Sequence, residues 1–435
     1  MKRLYLCLAS VLFVIGLQAQ NPIIRDQFSA DPSALVVGDR VFVFPSHDIP
    51  APEDFPRKDW FCMADYHVFS SKNLIDWTDH GKIVDQKEVP WVNATSYSMW
   101  APDCKEHDGK YYFFFPAGAK PVEGQRWGGG NRVGIAIADK PEGPYTPQEN
   151  YMEGPMGIDP CIFVDDDGQG YLVMPGITIT KMSEDWLSTD RSVSHRVEGV
   201  PTKGLVEGPY LFKANNKYYM TFPWARDSTE VLAYCMADNI FGPYEFKGVF
   251  FEEHPNGCWT NHHSVINFKG QWYLFYHHND YSPNFDKNRS VCADSLFFNA
   301  DGTIKVVKPT LRGIGITPSN YQIQLDRYSE IGGGAGIEYL NTDNYFEGWK
   351  LNLKSAGAFA QYNTVQFSKA PKSAKIMAKG NGVVALYQDG QKIGSVNISS
   401  ESFAIAKGAV KGQKGIHHLK AVLESGSVEI DWVQF

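Results

Sequence analysis

One pattern of apolar and polar positions recurs five times along the chain. A polar residue beside a proline or its equivalent leads into a short apolar stretch, then a turn with Gly or Asn, then an aromatic-rich run. The copies are ADPSALVVGDRVFVFPS at 30–46, WAPDCKEHDGKYYFFFPA at 100–117, DPCIFVDDDGQGYLVMPG at 159–176, EGPYLFKANNKYYMTFPW at 207–224 and HHSVINFKGQWYLFYHH at 262–278. Each predicts a β-hairpin whose second strand is alternating or wholly apolar. Anchored on Pro32, Pro102, Pro160, Pro209 and His263, the copies are spaced by 70, 58, 49 and 54 residues. Further strand-like runs fill the intervals, at 65–81, 132–147 and 230–246. Repeats of this length with about four strands apiece are the mark of propeller blades. Five blades are therefore expected within 21–313, and no long amphipathic helix pattern interrupts them.

After Gly313 the repeat stops. A polar, glycine-rich stretch leads into short alternating runs over 320–435, among them AFAQYNTVQFS, GVVALYQDG and SVEIDWVQF. Their spacing predicts a β-sandwich of jelly-roll type. The chain is thus expected to be all-β, a five-bladed propeller followed by a sandwich.

The first twenty residues place Lys2 and Arg3 before an apolar run from Leu4 to Leu17, the layout of a secretory signal peptide. An exported protein, periplasmic or secreted, is expected, with no membrane span and no second copy needed. Export permits disulfides, but the six later cysteines are scattered, with no C-x-x-C pair, and buried thiols are the expectation. The net charge of −8 gives no basic face for nucleic acid. Aromatic residues make up 14 % of the chain, enough to serve both sheet packing and a stacking surface for a flat ligand.

Propeller geometry makes the first strand of each repeat line the central channel. Its leading residues then meet at one mouth: Asp31, Trp100 with Ala101, Asp159, Glu207 and His262. Three carboxylates around a pocket, without a Cys/His metal set, suit glycoside hydrolysis. That reaction needs one protonated carboxyl for the leaving oxygen and one ionised carboxylate on the opposite face of the sugar. A third keeps the acid protonated, because neighbouring like charges resist joint ionisation. Taken singly, each Asp-Pro is an ordinary turn former. Their shared register is what points to a site.

The set Ala30-Asp31-Pro32-Ser33, Trp100-Ala101-Pro102-Asp103, Ile158-Asp159-Pro160, Val206-Glu207-Gly208-Pro209-Tyr210 and Asn261-His262-His263-Ser264 resembles glycoside hydrolase family 43. The resemblance implies Asp31 as general base, Asp159 as the residue that tunes the acid, and Glu207 as general acid. It implies Trp100 at the pocket wall and Arg289 approaching the acid and the sugar hydroxyls. His262 would face the channel, beside a calcium ion or water, with His263 as the alternative imidazole. No cofactor would be required. The tract Glu53–Tyr66, with Trp60 and Phe61, resembles an insertion that shapes the sugar subsites. The implied activity is inverting removal of pentosyl units, by a β-D-xylosidase or α-L-arabinofuranosidase, from plant cell-wall poly- or oligosaccharides. Endo-arabinanase, exo-galactanase and a non-catalytic sugar-binding propeller are the alternatives. The C-terminal QLDRYSE, YNTVQF and EIDWVQF resemble carbohydrate-binding module family 6. Tyr345 and Trp349 are its candidate stacking residues, and Glu429 departs from the Asn common in that family.

Overall fold

The computed structural model describes residues 21–121, 130–252, 258–279, 282, 285–341 and 349–435. The leader-like segment 1–20 and Tyr345 lie outside them. The chain divides into two compact units, one running to Gly315 and the other spanning Ile316–Phe435. Every regular element among the described residues is a β-strand.

The first unit is a five-bladed propeller of antiparallel sheets. Blade 1 holds β1 (Ser29–Val37), β2 (Arg40–Asp48), β3 (Met63–Ser71) and β4 (Thr78–Asp85). Blade 2 holds β5 (Asp103–His107), β6 (Lys110–Gly118), β7 (Asn131–Ala138) and β8 (Thr146–Pro147). Blade 3 is built from β9 (Cys161–Val164), β10 (Gly170–Met174), β11 (Thr178–Met182) and β12 (Thr189–Arg196). In blade 4, β13 (Leu205–Val206) and β14 (Tyr210–Ala214) both pair with β15 (Lys217–Ala225), which is followed by β16 (Glu230–Ala237) and β17 (Glu245–Phe251). Blade 5 has β18 (Ser264–Phe268), β19 (Gln271–His278) and β20 (Ser290–Leu296). The innermost strands β1, β5, β9, β14 and β18 neighbour one another in a closed ring.

The aromatic runs explain why blades stack. Phe113, Phe114 and Phe115 are consecutive in β6 and all fully buried. Side chains alternate across a strand, so Phe113 and Phe115 pack on Tyr66 of blade 1 while Phe114 meets Trp186 of blade 3. A strand covered on both faces can be apolar throughout. Each such ring contributes on the order of 1.5–3 kcal/mol of burial. Polar ties join the inner ring. Asp103 accepts hydrogen bonds from the Ser33 hydroxyl (2.6 Å), Lys105 Nζ (2.7 Å) and the Ile162 amide (2.7 Å), linking blades 1, 2 and 3. None of the six described cysteines forms a disulfide.

Blade 5 is completed by the start of the chain. The Ile23 amide donates to the Val291 carbonyl at 2.8 Å, and the Ser29 amide to the Arg289 carbonyl at 2.8 Å. Asn21, 1 % exposed, donates to the carbonyls of Thr310 (2.8 Å) and Ala293 (3.1 Å) and accepts the Ala293 amide (2.9 Å).

In the second unit, β21–β24 are short (Thr317–Pro318, Ile323–Gln324, Glu330–Gly332 and Gly336–Tyr339). Then come β25 (Trp349–Leu353), β26 (Phe359–Phe367) and three long strands, β27 (Ser373–Gln388), β28 (Gln391–Ala409) and β29 (Gly415–Gln434). They form one curled sheet around an apolar core, consistent with a sandwich. The sequence predicts a separate short strand at GVVALYQDG, but its residues 382–388 continue β27, which begins at Ser373. The strand bends at a bulge between Ala378 and Gly380 instead of ending. Gly380 has φ +114°, and a Cβ there would lie 2.4 Å from the Ser427 carbonyl oxygen, so only glycine permits the bend. Trp349 stacks on Tyr339 with ring centroids 4.1 Å apart, which covers one of its faces. Glu429 pairs with Lys350 (2.8 Å) and Lys379 (3.0 Å).

Replacing Asn21 by Ala removes these ring-closing bonds and leaves buried carbonyls unpaired. We expect the propeller to lose about 2–4 kcal/mol, measured by urea denaturation. A loss below about 0.5 kcal/mol would show that Asn21 does not help close the ring.

Candidate active site

Two of the three expected carboxylates sit on unusual backbone. The β1–β2 register slips between Ala30 and Ser33, so Asp31 and Pro32 form a bulge. Asp31 there has φ +49°, and Asp159 has φ +55°. A non-glycine residue in the left-handed region costs on the order of 1–3 kcal/mol, and such residues cluster at functional sites. In blade 4 the residue before the proline is Gly208, φ +48°, and the carboxylate is one residue earlier, at Glu207. A Cβ on Gly208 would stand 2.7 Å from His262 Nδ1. Glycine is needed there both for the backbone turn and for the approach of the imidazole.

Asp31, Trp100, Asp159, Glu207, His262 and Arg289 line one cavity of about 330 Å³. All six residues predicted from the sequence meet there. The blade 1 insertion contributes Trp60 and Phe61 to the wall, and Trp259, Thr260 and Asn261 add a further side. The Tyr66 hydroxyl donates to the Trp100 carbonyl at 2.7 Å and fixes that segment. Trp100 Nε1 and Asn261 Oδ1 are buried with no protein partner. His263 points elsewhere. Its Nε2 meets the Thr221 hydroxyl at 2.6 Å, and its ring lies among Tyr210 and Phe250 in the core.

Arg289, 3 % exposed, dominates the charge of the base side. Its Nε and Nη2 donate to the two oxygens of Asp48, both at 2.9 Å, and Nη1 donates to Asp31 Oδ1 at 3.0 Å. Its hydrogen bonds therefore run to the expected base, where the resemblance had implied an approach to the acid. Burial by itself would raise the Asp31 carboxyl. Arg289, with a 2.6 Å hydrogen bond from Ser46, reverses this and holds it at about 2. Asp31 is an anion at any working pH. His277 Nδ1 also accepts the Asp31 amide at 3.1 Å.

The opposite side of the cavity holds its protons. Burial, then the charges of Glu207 and Asp31, push Asp159 well above the usual carboxylate range. Burial and Asp31 raise Glu207, against a lowering contact from Glu230. Glu230 is the residue that sequence reasoning missed. It is 1 % exposed, and burial with the neighbouring Glu207 carboxyl raises it strongly. Asp48 and His277 were missed as well. The one available signal was that Glu230 opens an otherwise wholly apolar strand, EVLAYCMA.

Burial lowers the pKa of His262 and keeps its imidazole neutral. A calcium ion takes six to eight oxygen ligands. His262 offers one nitrogen, and the two carboxylates acting on it are already engaged, Asp31 by Arg289 and Ser46 and Asp103 by Ser33, Lys105 and the Ile162 amide. These side chains do not by themselves compose a calcium site. Among the described residues, the donors that converge as a metal-type set are His47, Asp65 and His67. His47 Nδ1 already bonds Asp65 at 2.7 Å, and His67 Nδ1 bonds Asp79 at 3.1 Å.

Comparison with known proteins agrees with this geometry. Residues 19–304 match the model of glycosyl hydrolases family 43. The chain is 33 % identical over 338 residues to a xylosidase/arabinosidase 43A of Humicola insolens, covering 66 % of this chain and 99 % of that protein. It is 33 % identical over 327 residues to a beta-xylosidase of Xylanibacter ruminicola, covering 65 % and 97 %. Among solved structures, a β-xylosidase/α-arabinofuranosidase from a compost microbial metagenome, in complex with xylotriose, superposes with TM-score 0.59 at 32 % identity, over 67 % of this chain and 98 % of that one. An arabinoxylan arabinofuranohydrolase of Bacillus subtilis, 24 % identical, covers 95 % of this chain with TM-score 0.55 and shares the fold across both units. The propeller, its carboxylate-lined cavity and these matches together place the chain in glycosyl hydrolase family 43.

Proposed function

We propose that the protein is an exo-acting, inverting glycosidase that removes terminal β-D-xylosyl or α-L-arabinofuranosyl units from plant cell-wall poly- or oligosaccharides. The observation that carries this reading is the opposed protonation across one cavity. Asp31 is held ionised by Arg289, while burial first and then the charge of Asp31 push Asp159 and Glu207 above the usual carboxylate range. Two carboxyl groups with separated pKa values divide the acid and base roles.

In this reading Asp31 takes a proton from the attacking water, and Glu207 gives one to the departing glycosidic oxygen. Asp159 accepts the Gly208 amide at 3.2 Å, which fixes the backbone next to the acid. Trp60, Phe61, Trp100 and Trp259 supply apolar walls for the C–H faces of the sugar. Neutral His262, the Trp100 indole N–H and the Asn261 carbonyl supply polar contacts. The walls from the blade 1 insertion favour a pocket for a terminal sugar over an open groove. The sugar class is supported by the names of the relatives that match the propeller. The leader-like segment 1–20 supports export.

Glu207→Gln should lower kcat/KM on xylo- or arabino-oligosaccharides by about 10²- to 10⁴-fold, and far less on aryl glycosides with acidic phenol leaving groups. Full retained activity on oligosaccharides would overturn the acid assignment. Asp31→Asn should abolish turnover of both substrate types, since leaving-group ability does not replace water activation. Binding of pentosides without turnover by the unmodified protein would replace the enzyme with a sugar-binding propeller.

The pH profile follows from the same charges. With Asp31 at about 2, kcat/KM should show no acidic limb above about pH 4. It should fall as pH rises through the raised pKa of Glu207. Arg289→Lys keeps a cation but loses the fork that grips Asp31 and Asp48. It should bring an acidic limb into the measurable range and cost at least about tenfold in kcat/KM. An unchanged profile would show that Arg289 does not set the charge of the base.

A further inference from the structure

We propose that Glu230 is a positioning residue for the acid step, sharing one proton with Glu207 and holding the Glu207 carboxyl toward the cavity. The inference deepens the glycosidase reading above and rests on it.

Strand register brings the two side chains together. Leu205 pairs with Ala225, and Ala225 with Glu230. Two residues along, the Glu207 amide meets the Pro223 carbonyl at 3.4 Å, and Pro223 pairs with Leu232. Residues two apart share a face, so Glu207 and Glu230 project from one face of blade 4 with β15 between them. Each carboxyl group acts on the pKa of the other.

Glu230 is anchored on its other side. Its amide donates to the Trp259 carbonyl at 3.0 Å, and its Oε2 accepts the Asn261 amide at 2.7 Å. Oε1 is buried with no donor in reach. An ionised carboxylate with one oxygen so placed pays a desolvation penalty. A proton shared by this carboxyl group and Glu207 relieves it. Two carboxyl groups in contact resist joint ionisation. Asp159 acts on Glu230 in the same sense, the Asn261 amide opposes it, and the Cys258 thiol is a further neighbour. Asp31 and Arg289 act on Glu207 from across the cavity with opposite signs.

In the acid step the proton shared by the pair leaves on Glu207 and forms the new O–H bond of the departing alcohol. Asp31 meanwhile holds the proton taken from water. When product exits, Asp31 releases that proton and the Glu207–Glu230 pair takes one up, so charge returns to the starting state. Glu230 touches no substrate in this scheme. It fixes the Glu207 rotamer and makes the pair slow to lose its last proton as pH rises.

The test is Glu230→Gln, which preserves length and an acceptor for the Asn261 amide but has no proton to share and no charge. The basic limb of kcat/KM should move to lower pH by about one unit, because Glu207 then titrates alone beside a neutral amide donor instead of holding the last proton of a two-carboxyl pair. On xylobiose or arabinobiose kcat should fall at least about tenfold with KM little changed, while aryl glycosides with acidic phenols keep most of their turnover. An unmoved basic limb, or equal losses on both substrates, would reduce Glu230 to a clamp for the 259–261 segment and overturn the proposal. Infrared difference spectra of the unmodified protein against Glu230→Gln give an independent readout. The broadened, low-frequency carboxyl band of a shared proton should give way to an ordinary carboxylic acid band, and an unchanged spectrum would contradict proton sharing. Glu207→Gln run alongside separates the two ideas. If it keeps activity on oligosaccharides, the acid assignment itself has failed. If it shows the acid signature while Glu230→Gln behaves as the unmodified protein, only the role of Glu230 has failed.

Discussion

The ion pair of Arg289 with Asp31 and Asp48 joins the architecture to the chemistry. Arg289 stands at the head of β20 in the last blade, and both carboxylates belong to the first. The contact that keeps the base ionised therefore also helps close the ring. Its surroundings are almost dry, with Arg289 3 % and Asp48 2 % exposed. Removing one partner of such a pair leaves an uncompensated buried charge and typically costs about 3–5 kcal/mol. Closure and catalysis are thus under one constraint, because a ring that opened at this seam would release Arg289 and let the Asp31 carboxyl rise toward its ordinary range.

The rest of the cavity is arranged around that fixed anion. Burial raises Asp159 and Glu207, and the charge of Asp31 adds to the effect. One cation placed on one side of a funnel thereby sorts three carboxyl groups into a base and a protonated group. The left-handed backbone at Asp31 and Asp159 stores some strain to aim these groups inward. Packing between blades, to which the aromatic runs of β6, β15 and β19 contribute, holds both positions.

The five-fold repeat carried the fold because each copy encodes a complete local unit, a hairpin with its turn and its apolar strand. The same register brought Asp31, Asp159, Glu207 and Trp100 into one place, and the cavity holds them all. Asp48 and Glu230 were not legible. Asp48 follows Ser46-His47 before Ile49-Pro50 and reads as a loop acid, while Glu230 follows Asp227-Ser228-Thr229 and reads as a hairpin charge. Only the closed ring buries them. Arg289 was equally consistent with a strand-edge charge until its guanidinium was found between two carboxylates. In the second unit, glycines that normally separate strands bend one long strand at Gly380, and local pattern does not distinguish a turn from a bulge.

The central claim is that Asp31, held as an anion, delivers water directly to the anomeric carbon while Glu207 protonates the leaving oxygen. Proton NMR of the first product formed from an aryl β-D-xyloside, recorded before mutarotation, tests it most directly. Direct attack by water predicts that α-xylose appears first and the β anomer follows only by mutarotation. Initial appearance of β-xylose would mean a covalent intermediate and two displacements, and would contradict the account.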